Sequence, residues 1–313
     1  MVMAVHNGER FLAQAIDSVL CQTFTDFEFI IVDDGSTDAT ATILDAYRER
    51  DRRLELIRQP NAGYIAALNS GCDAARGEFI ARIDADDLCE PARFGRQIEF
   101  LDSRPEIAVV GGAMLLITAD GRPFYLATFP QAPTETRAAL EHRNPLGHPT
   151  VMMRRSAFLS VAGYRAAFAH AEDYDLWLRI SAEHELANLP DILGRYRIHP
   201  DNASHRNLKQ QALSVAAARA AMRGDGVGAA DTAEITMELG LWWGTIGTRA
   251  GRGYRRLARQ GWRQALEAAR TTADPTGNRR RVLVRQTVVA DEQGRRLHAL
   301  ALRAKLRLHA RTA

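Results

Sequence analysis

The sequence predicts an α/β protein: a mostly parallel, Rossmann-like sheet flanked by helices, followed by a helical C-terminal extension. Three observations carry this reading. Up to about residue 110, short apolar runs alternate with segments whose apolar residues recur at helical spacing. The runs are continuously apolar rather than alternating, as strands covered on both faces are. Several of them end in polar motifs, "HNG", "DDGS" and "DADD", on the side where open α/β sheets bind ligands, so these motifs should converge on one cleft.

The elements follow in order. "MVMAV" is a short strand and "HNG" a turn, after which Phe11, Leu12, Ala15, Ile16, Val19 and Leu20 mark a helix. "FEFIIV" is the second strand, ending at "DDGSTD", where Ser36 or Thr37 can cap the next helix. "LELI" is the third strand, "AGYIAALNSGCDAA" a helix and "EFIARI" the fourth strand. Pro91 suits a first helical position and opens a helix that runs to about Ser103, before Pro105. "IAVVGG" is the fifth strand, and "MLLITADGRPFYLATF" reads as two strands around the hairpin signal Asp120-Gly121. After a short helix come the strand "HPTVMM", the helix "EDYDLWLRISAEHE" and the strand "LGRYRIHP". From Asn207 the sequence is mostly helical, with a break at 224–228.

A chain of 313 residues holds one large domain with an extension, or two domains. Its 46% apolar and 25% charged residues are those of an ordinary soluble globular protein. Cys21, Cys72 and Cys89 are scattered and form no C-x-x-C pair, which argues against a disulfide framework or zinc site and fits a reducing cytoplasm. No signal peptide is visible. The uncharged run 107–119, 13 residues with a Gly-Gly pair, falls short of the ~20 needed to span a bilayer. Charge is uneven: residues 249–313 hold 17 Lys and Arg against 4 Asp and Glu, a net of +13, so the first 248 carry −10 of the overall +3. A basic tail on an acidic body points to an anionic contact for the tail.

The chemistry concentrates at "DADD". Clustered carboxylates at the end of an apolar strand become tolerable around a divalent cation, and Mg²⁺ and Mn²⁺ commonly bridge such carboxylates to substrate phosphates. Asp84 and Asp86 are read as that pair, against the alternative of a capped turn; Asp87 suits the start of the following helix. Asp33 and Asp34 close the second strand, where an Asx-turn into Gly35 is the plain alternative. In "EDYD", a helix starting near Glu172 puts Asp173, Leu176, Trp177 and Ile180 on one face. Asp175 and Arg179 then lie together on the other face as a solvated i,i+4 pair, so Asp173 is the candidate general base.

The stretches "MAVHNGERFLAQAIDSVLCQTF", "FIIVDDGSTDAT", "NAGYIAALNSG", "FIARIDADD" and "AEDYDLWLRI", in that order across residues 1–205, resemble family 2 glycosyltransferases of the GT-A fold. The resemblance implies a catalytic domain over 1–205, with a nucleotide-sugar half to about 110 and an acceptor half to 205, and a basic helical region over 206–313. It implies sugar transfer from a nucleotide-sugar, UDP-linked by preference, with a divalent metal, Mn²⁺ or Mg²⁺. "DAD" matches the family's D-x-D motif, which assigns Asp84 to donor and metal and Asp86 to metal. Asp34 is implied as acceptor for a ring N–H of the base, with Ala4, Asn61, Gly63 and Asn69 near the nucleotide; Asn69 reads equally as structural. His6 stands where the family commonly has a tyrosine stacking on the base. The "ED" pair independently selects Asp173 as base. Arg197 and His199 occupy positions that in the family contact diphosphate or metal, the alternative being ordinary polar residues.

A nucleotide-sugar pyrophosphorylase or a Rossmann dehydrogenase would need a Gly-rich loop after the first strand, and "AVHNGERF" has a single glycine. A processive polysaccharide synthase would carry Q-x-x-R-W and membrane helices. A non-catalytic interaction protein is the rival from another class, opposed by Asp34, Asp84, Asp86 and Asp173. In the tail, Tyr254, Leu257, Ala258, Gly261, Trp262 and Ala265 share one helical face, and Arg252, Arg256, Arg259, Arg263 and Arg270 the other. That pattern suits an anionic membrane surface or packing on the catalytic domain or a second subunit; no recognition motif supports nucleic acid. The expectation is a cytoplasmic enzyme, peripheral to the membrane at most, acting on a glycan or lipid-linked acceptor.

Overall fold

The computed structural model describes residues 1–202, 206–226, 229–251 and 254–271. The strands are β1 (Val2–Val5), β2 (Phe29–Asp34), β3 (Leu54–Gln59), β4 (Phe79–Ala81), β5 (Leu88–Cys89), β6 (Ile107–Thr118), β7 (Pro123–Ala127), β8 (Met152–Arg154) and β9 (Glu185–Ile198). The helices are α1 (Leu12–Leu20), α2 (Thr40–Arg50), α3 (Tyr64–Ala74), α4 (Arg93–Asp102), α5 (Pro133–Leu140), α6 (Arg155–Ser160) and α7 (Glu172–Ile180) in the first part of the chain. Three more follow, α8 (Leu208–Arg223), α9 (Ala229–Arg249) and α10 (Arg255–Thr271).

A parallel sheet in the order β3-β2-β1 continues, through one parallel bridge between Val2 and Arg82, into the order β4-β8-β6-β9-β5, with β7 hairpinned onto β6. The expected parallel pairing holds for β1–β3 and for β6 with β9. It fails at β8, which is antiparallel to both β4 and β6, and at β5, antiparallel to β9. Both are strands of two or three residues brought in by loops, and antiparallel pairing needs no crossover helix.

Alternation along β1 explains the two-sided core. Met3 and Val5 pack with Leu12, Ile16 and Val19 of α1 on one face, and Val2 and Ala4 with Ile65, Leu68 and Cys72 of α3 on the other. The two expected strands "IAVVGG" and "MLLIT" are one strand, β6, because Gly111 and Gly112 serve close packing and not a break. A Cβ at Gly111 would lie 2.5 Å from Asn188 Oδ1, and one at Gly112 2.5 Å from Leu193. Element ends also shift: α4 starts at Arg93 and not Pro91, and α7 stops at Ile180, leaving Glu185 to begin β9. The N-terminus of α2 is closed by Asp38, whose Oδ1 accepts from Thr40 N at 3.0 Å, and not by Ser36 or Thr37.

The C-terminal helices share a core with the sheet: Leu116, Ala127 and Ile198 pack with Leu208, Trp243, Ile246 and Leu257. The predicted amphipathic helix is present as α10. Its apolar face, with Leu257, Ala258 and Ala265 buried, lies against α9, while Arg256, Arg259 and Arg263 are exposed. That face is therefore internal, the packing alternative of the two readings given for it. Arg252 and residues 272–313 lie outside the described residues. No described helix is long and apolar enough to cross a membrane.

Small residues let α9 and α10 approach closely. A Cβ added at Gly244 would lie 2.3 Å from the Trp262 ring, and one at Gly240 2.7 Å from backbone atoms of Gly261 and Ala265. Gly244→Leu should cost about 1–3 kcal/mol through overpacking, measured as a lower denaturant midpoint at unchanged secondary-structure content.

Candidate active site

The first two motifs are laced together. Asn7 adopts φ +54°, its Nδ-bearing amide offering Oδ1 to the backbone N–H of Thr37 at 2.8 Å, while its own N–H donates to Ser36 Oγ at 2.9 Å. Asp33 Oδ1 accepts from Ser36 N, three residues on, at 3.0 Å and closes the turn through Gly35. Gly35 has φ +71°, and a Cβ there would lie 2.7 Å from Asn61 N, so this turn needs glycine both for its dihedral and for the approach of Asn61.

Asp34 is buried and already busy. Its Oδ1 accepts from Gln59 Nε2 at 2.8 Å and Ala62 N at 2.9 Å, and its Oδ2 from Gly63 N at 2.9 Å. His6 is exposed, with Nδ1 2.9 Å from the Asp34 carbonyl and its ring next to the Asn61 amide. The structure thus brings His6, Asp34, Asn61 and Gly63 to one edge of the cleft. Two further predicted residues sit deeper. Ala4 is 7% exposed, its methyl group in the core beside α3. Asn69 staples α3 to a loop, which is the structural half of its reading: its Nδ2 donates to the Tyr164 carbonyl at 2.9 Å and its Oδ1 accepts from Tyr164 N at 3.0 Å.

After β4, carboxylate oxygens of Asp84, Asp86 and Asp87 lie within 4.8 Å of one another. Arg82 grips Asp84 with both terminal nitrogens, Nη1 reaching Oδ2 at 2.8 Å and Nη2 reaching Oδ1, and the Tyr64 hydroxyl donates to Oδ1 at 3.1 Å. Burial raises the pKa of Asp84, Arg82 pulls it down and Asp86 adds to the rise. Asp86 Oδ2 is 2.8 Å from His199 Nε2. Asp87 does not cap α4 as expected. It turns inward, 1% exposed, where Oδ1 accepts from Arg197 N at 2.8 Å and Oδ2 has no partner among the described residues. Burial and then its two acidic neighbours push Asp87 well above the usual carboxylate range.

This donor set of oxygens with one imidazole fits Mg²⁺ or Mn²⁺. Asp84 and Asp86 share one cluster with Asp87, and His199 joins it through Asp86. Arg197 ties this loop to its neighbours. Its guanidinium is buried over the Phe11 ring at 4.6 Å and donates to the Asp86 carbonyl (2.8 Å), the Ala119 carbonyl (3.0 Å) and Gln14 Oε1 (2.9 Å). Arg197 is 1% exposed and holds the acidic loop, because β9 delivers it to the interior next to α1 and the β6–β7 turn.

The second acidic group sits at the start of α7. Leu176, Trp177 and Ile180 are buried, and Asp173 shares their face at the cleft wall, half-buried. Asn144 Nδ2 donates to Asp173 Oδ2 at 2.7 Å. Burial raises the Asp173 pKa, opposed by its hydrogen bonds from Tyr174 N and Asn144 and then by Arg82. Glu172 is 7% exposed and pushed up to about 7 by burial and by Asp173. Asp175 is not solvated. It is 1% exposed and bound by Arg179, at 2.8 and 3.0 Å, and by Arg165, whose Nε is 3.0 Å away. Arg179 also donates to the Gly163 carbonyl at 2.7 Å, so Asp175 anchors the loop carrying Arg165. The helix-face argument failed for Asp175 because a loop, and not solvent, covers that side of α7.

Sequence reasoning missed Arg82, Tyr64, Asn144 and the buried pair His148 and Tyr164, whose Nε2 and hydroxyl are 2.8 Å apart. For Arg82 a signal existed: an arginine inside the apolar run "FIARI" must find a buried carboxylate partner. The others are gathered by tertiary structure alone.

Residues 1–161 match the model of the glycosyl transferase family 2, and the chain belongs to that family. The amylovoran biosynthesis glycosyltransferase AmsE of Erwinia amylovora is 32% identical over 213 residues, 66% of this chain and 78% of that protein. Among solved structures, the mannosyltransferase PcManGT from Pyrobaculum calidifontis, in complex with GDP-Man and Mn²⁺, matches with a TM-score of 0.56 at 17% identity, over 97% of this chain and 85% of its own. S. aureus TarS 1–349, in complex with UDP, matches with a TM-score of 0.54 at 17% identity, over 94% and 90%. The fold is that of the GT-A glycosyltransferases.

Two outcomes follow from the α7 geometry. Removing the charge of a buried, doubly paired carboxylate leaves arginines uncompensated, so Asp175→Asn should lower stability by about 2–3 kcal/mol, discounted for the part-exposed Arg165, as read by denaturant melting. Glu172 binds its proton more tightly in the folded state than an ordinary glutamate, so it favours folding at acid pH. That contribution is lost as pH rises from the ordinary glutamate range to about 7. The melting temperature of Glu172→Gln relative to wild type should therefore climb across that window and level off above it.

Proposed function

We propose that this family 2 glycosyltransferase is an inverting, metal-dependent enzyme. It moves a sugar from a nucleoside diphosphate sugar, taken as UDP-linked, to a hydroxyl of a glycan or lipid-linked acceptor. The product belongs to bacterial cell-surface polysaccharide or glycoconjugate synthesis, as the name of AmsE suggests. The observation that carries the reading is the cluster of Asp84, Asp86 and Asp87, whose carboxylate oxygens lie within 4.8 Å of one another, with His199 2.8 Å from Asp86. Arg82 binds Asp84 and also lies within electrostatic reach of Glu172 and Asp173, with Asp84 itself acting on Glu172.

His6, Asp34, Asn61 and Gly63 receive the nucleoside, and Asp34 keeps acceptor capacity on Oδ2, which has one hydrogen bond, for a base N–H. Asp84, Asp86 and His199 would hold Mn²⁺ or Mg²⁺. When bound, such an ion offsets the negative charge that builds on the departing nucleoside diphosphate. UDP in the TarS complex and GDP-Man with Mn²⁺ in the PcManGT complex support this half of the reading.

Inverting transfer needs one base. Asp173 accepts the proton of the acceptor hydroxyl as that oxygen attacks the anomeric carbon from the side opposite the leaving group. Asn144 fixes one carboxylate oxygen, and burial raises the basicity of the group, opposed by its hydrogen bonds and by Arg82. Glu172 stands behind it and turns from neutral to charged near pH 7. Arg197 positions the loop of Asp86 and Asp87.

A panel of UDP- and GDP-sugars, read as released nucleotide with Mn²⁺, tests the reading. Asp173→Asn should lose about 10²–10⁴-fold in transfer while still binding nucleotide, and excess EDTA should abolish wild-type turnover. Near wild-type transfer by Asp173→Asn removes the base assignment; full activity in EDTA removes the metal.

A further inference from the structure

Arg82 is the buried cation that the sequence motifs leave without a role. Its side chain is 3% exposed, both Nη atoms are spent on Asp84, and its Nε has no partner among the described residues. The Tyr64 ring covers the guanidinium at 5.7 Å and adds a hydroxyl to the same carboxylate. Backbone bonds on both sides fix its place: Arg82 N donates to the Val151 carbonyl at 3.1 Å, and the Arg82 carbonyl accepts from Arg93 Nη2 at 2.9 Å. Both oxygens of Asp84, the first acidic residue of the motif, are therefore occupied by this chain's own cation.

We propose that Arg82 is a positioning residue that couples divalent-cation binding to nucleotide binding. The inference rests on the metal reading of Asp84 and Asp86 given above. A cation arriving alone must compete with a two-point guanidinium grip, and among the described residues Asp84 is the one carboxylate hydrogen-bonded to Arg82. A guanidinium is also the side chain best shaped to take phosphate oxygens in a fork. A nucleoside diphosphate arriving with the cation supplies that replacement anion, so Asp84 turns to the metal as Arg82 turns to the phosphates. Each ligand then raises the affinity of the other, and by linkage the two enhancements are equal. The protein avoids leaving three neighbouring carboxylates uncompensated between turnovers.

The test is Mn²⁺ binding to the full chain, followed by the electron paramagnetic resonance signal of free Mn²⁺, with and without UDP or GDP. Wild type should bind Mn²⁺ weakly alone and much more tightly with the nucleotide. Arg82→Gln frees Asp84, so its affinity for Mn²⁺ alone should rise about tenfold, and the enhancement by nucleotide should shrink by a similar factor. Arg82→Lys keeps the charge but not the fork and should fall between the two; a lysine variant with wild-type coupling would overturn the two-point grip. Tyr64→Phe, at a more exposed ring, should raise affinity for Mn²⁺ alone about threefold. It decides the matter if Arg82→Gln does not fold, since no rise there overturns the proposal. If wild type binds Mn²⁺ with nucleotide but Arg82→Gln matches it in both states, the coupling role falls and the metal reading stands. If no form binds Mn²⁺ even with UDP or GDP, the metal reading falls and takes this proposal with it.

Discussion

Three carboxylates confined within 4.8 Å at the end of one strand are the constraint around which the molecule is arranged. Like charges at that spacing in a part-buried site cannot all ionise without nearby positive charge. The fold supplies it from below and from the side. Arg82 comes from the same segment as the acids, and Arg197 comes from β9, more than a hundred residues later. A third buried arginine, Arg93, fastens the segment itself by donating to the carbonyls of Arg82, Pro149 and Val151. Each arginine ties a different element to the acidic loop: α4 and the entry to β8 through Arg93, α1 and the β6–β7 turn through Arg197.

Much of this was legible in the sequence, and the reason is burial. Strands covered on both faces must be continuously apolar, so "FIIV" and "IAVVGG" announce themselves, and the motifs that end the strands meet because parallel neighbours end on the same side. The acidic ends Asp33-Asp34 and Asp84–Asp87 were found this way; His6, Asn61, Gly63 and His199 came from the family resemblance. What was not legible depends on contacts between segments distant in the chain. Asp175 looked solvated because its partner Arg165 sits in a loop with no periodicity. The buried contacts of Arg197 with Gln14 and the Ala119 carbonyl, and those of Asn69 with Tyr164, join segments that no strand or helix pattern relates.

The family match ends at residue 161, yet Asp173 and His199 lie beyond it. The nucleotide edge and the acidic loop fall within the matched part. The residues proposed to act on the acceptor and to complete the metal set are carried by α7 and β9, whose positions depend on packing against α8 and β6. The alignment with AmsE, over 213 residues, is longer than the part that the family match covers.

The tip of the β6–β7 hairpin deserves a mechanical reading. Ala119 accepts from Arg197 through its carbonyl at 3.0 Å and donates through its N–H to the Tyr254 hydroxyl at 2.6 Å. A two-ended peptide unit thus joins the loop of Asp86 to the segment leading into α10. With Leu257 and Trp243 in the same apolar cluster as Leu116 and Ile198, the C-terminal helices share part of their core with the sheet. Unfolding should be all-or-none across what looks in sequence like a junction near 205, and swapping C-terminal regions between relatives would disturb the catalytic loop unless this peptide unit were matched as well.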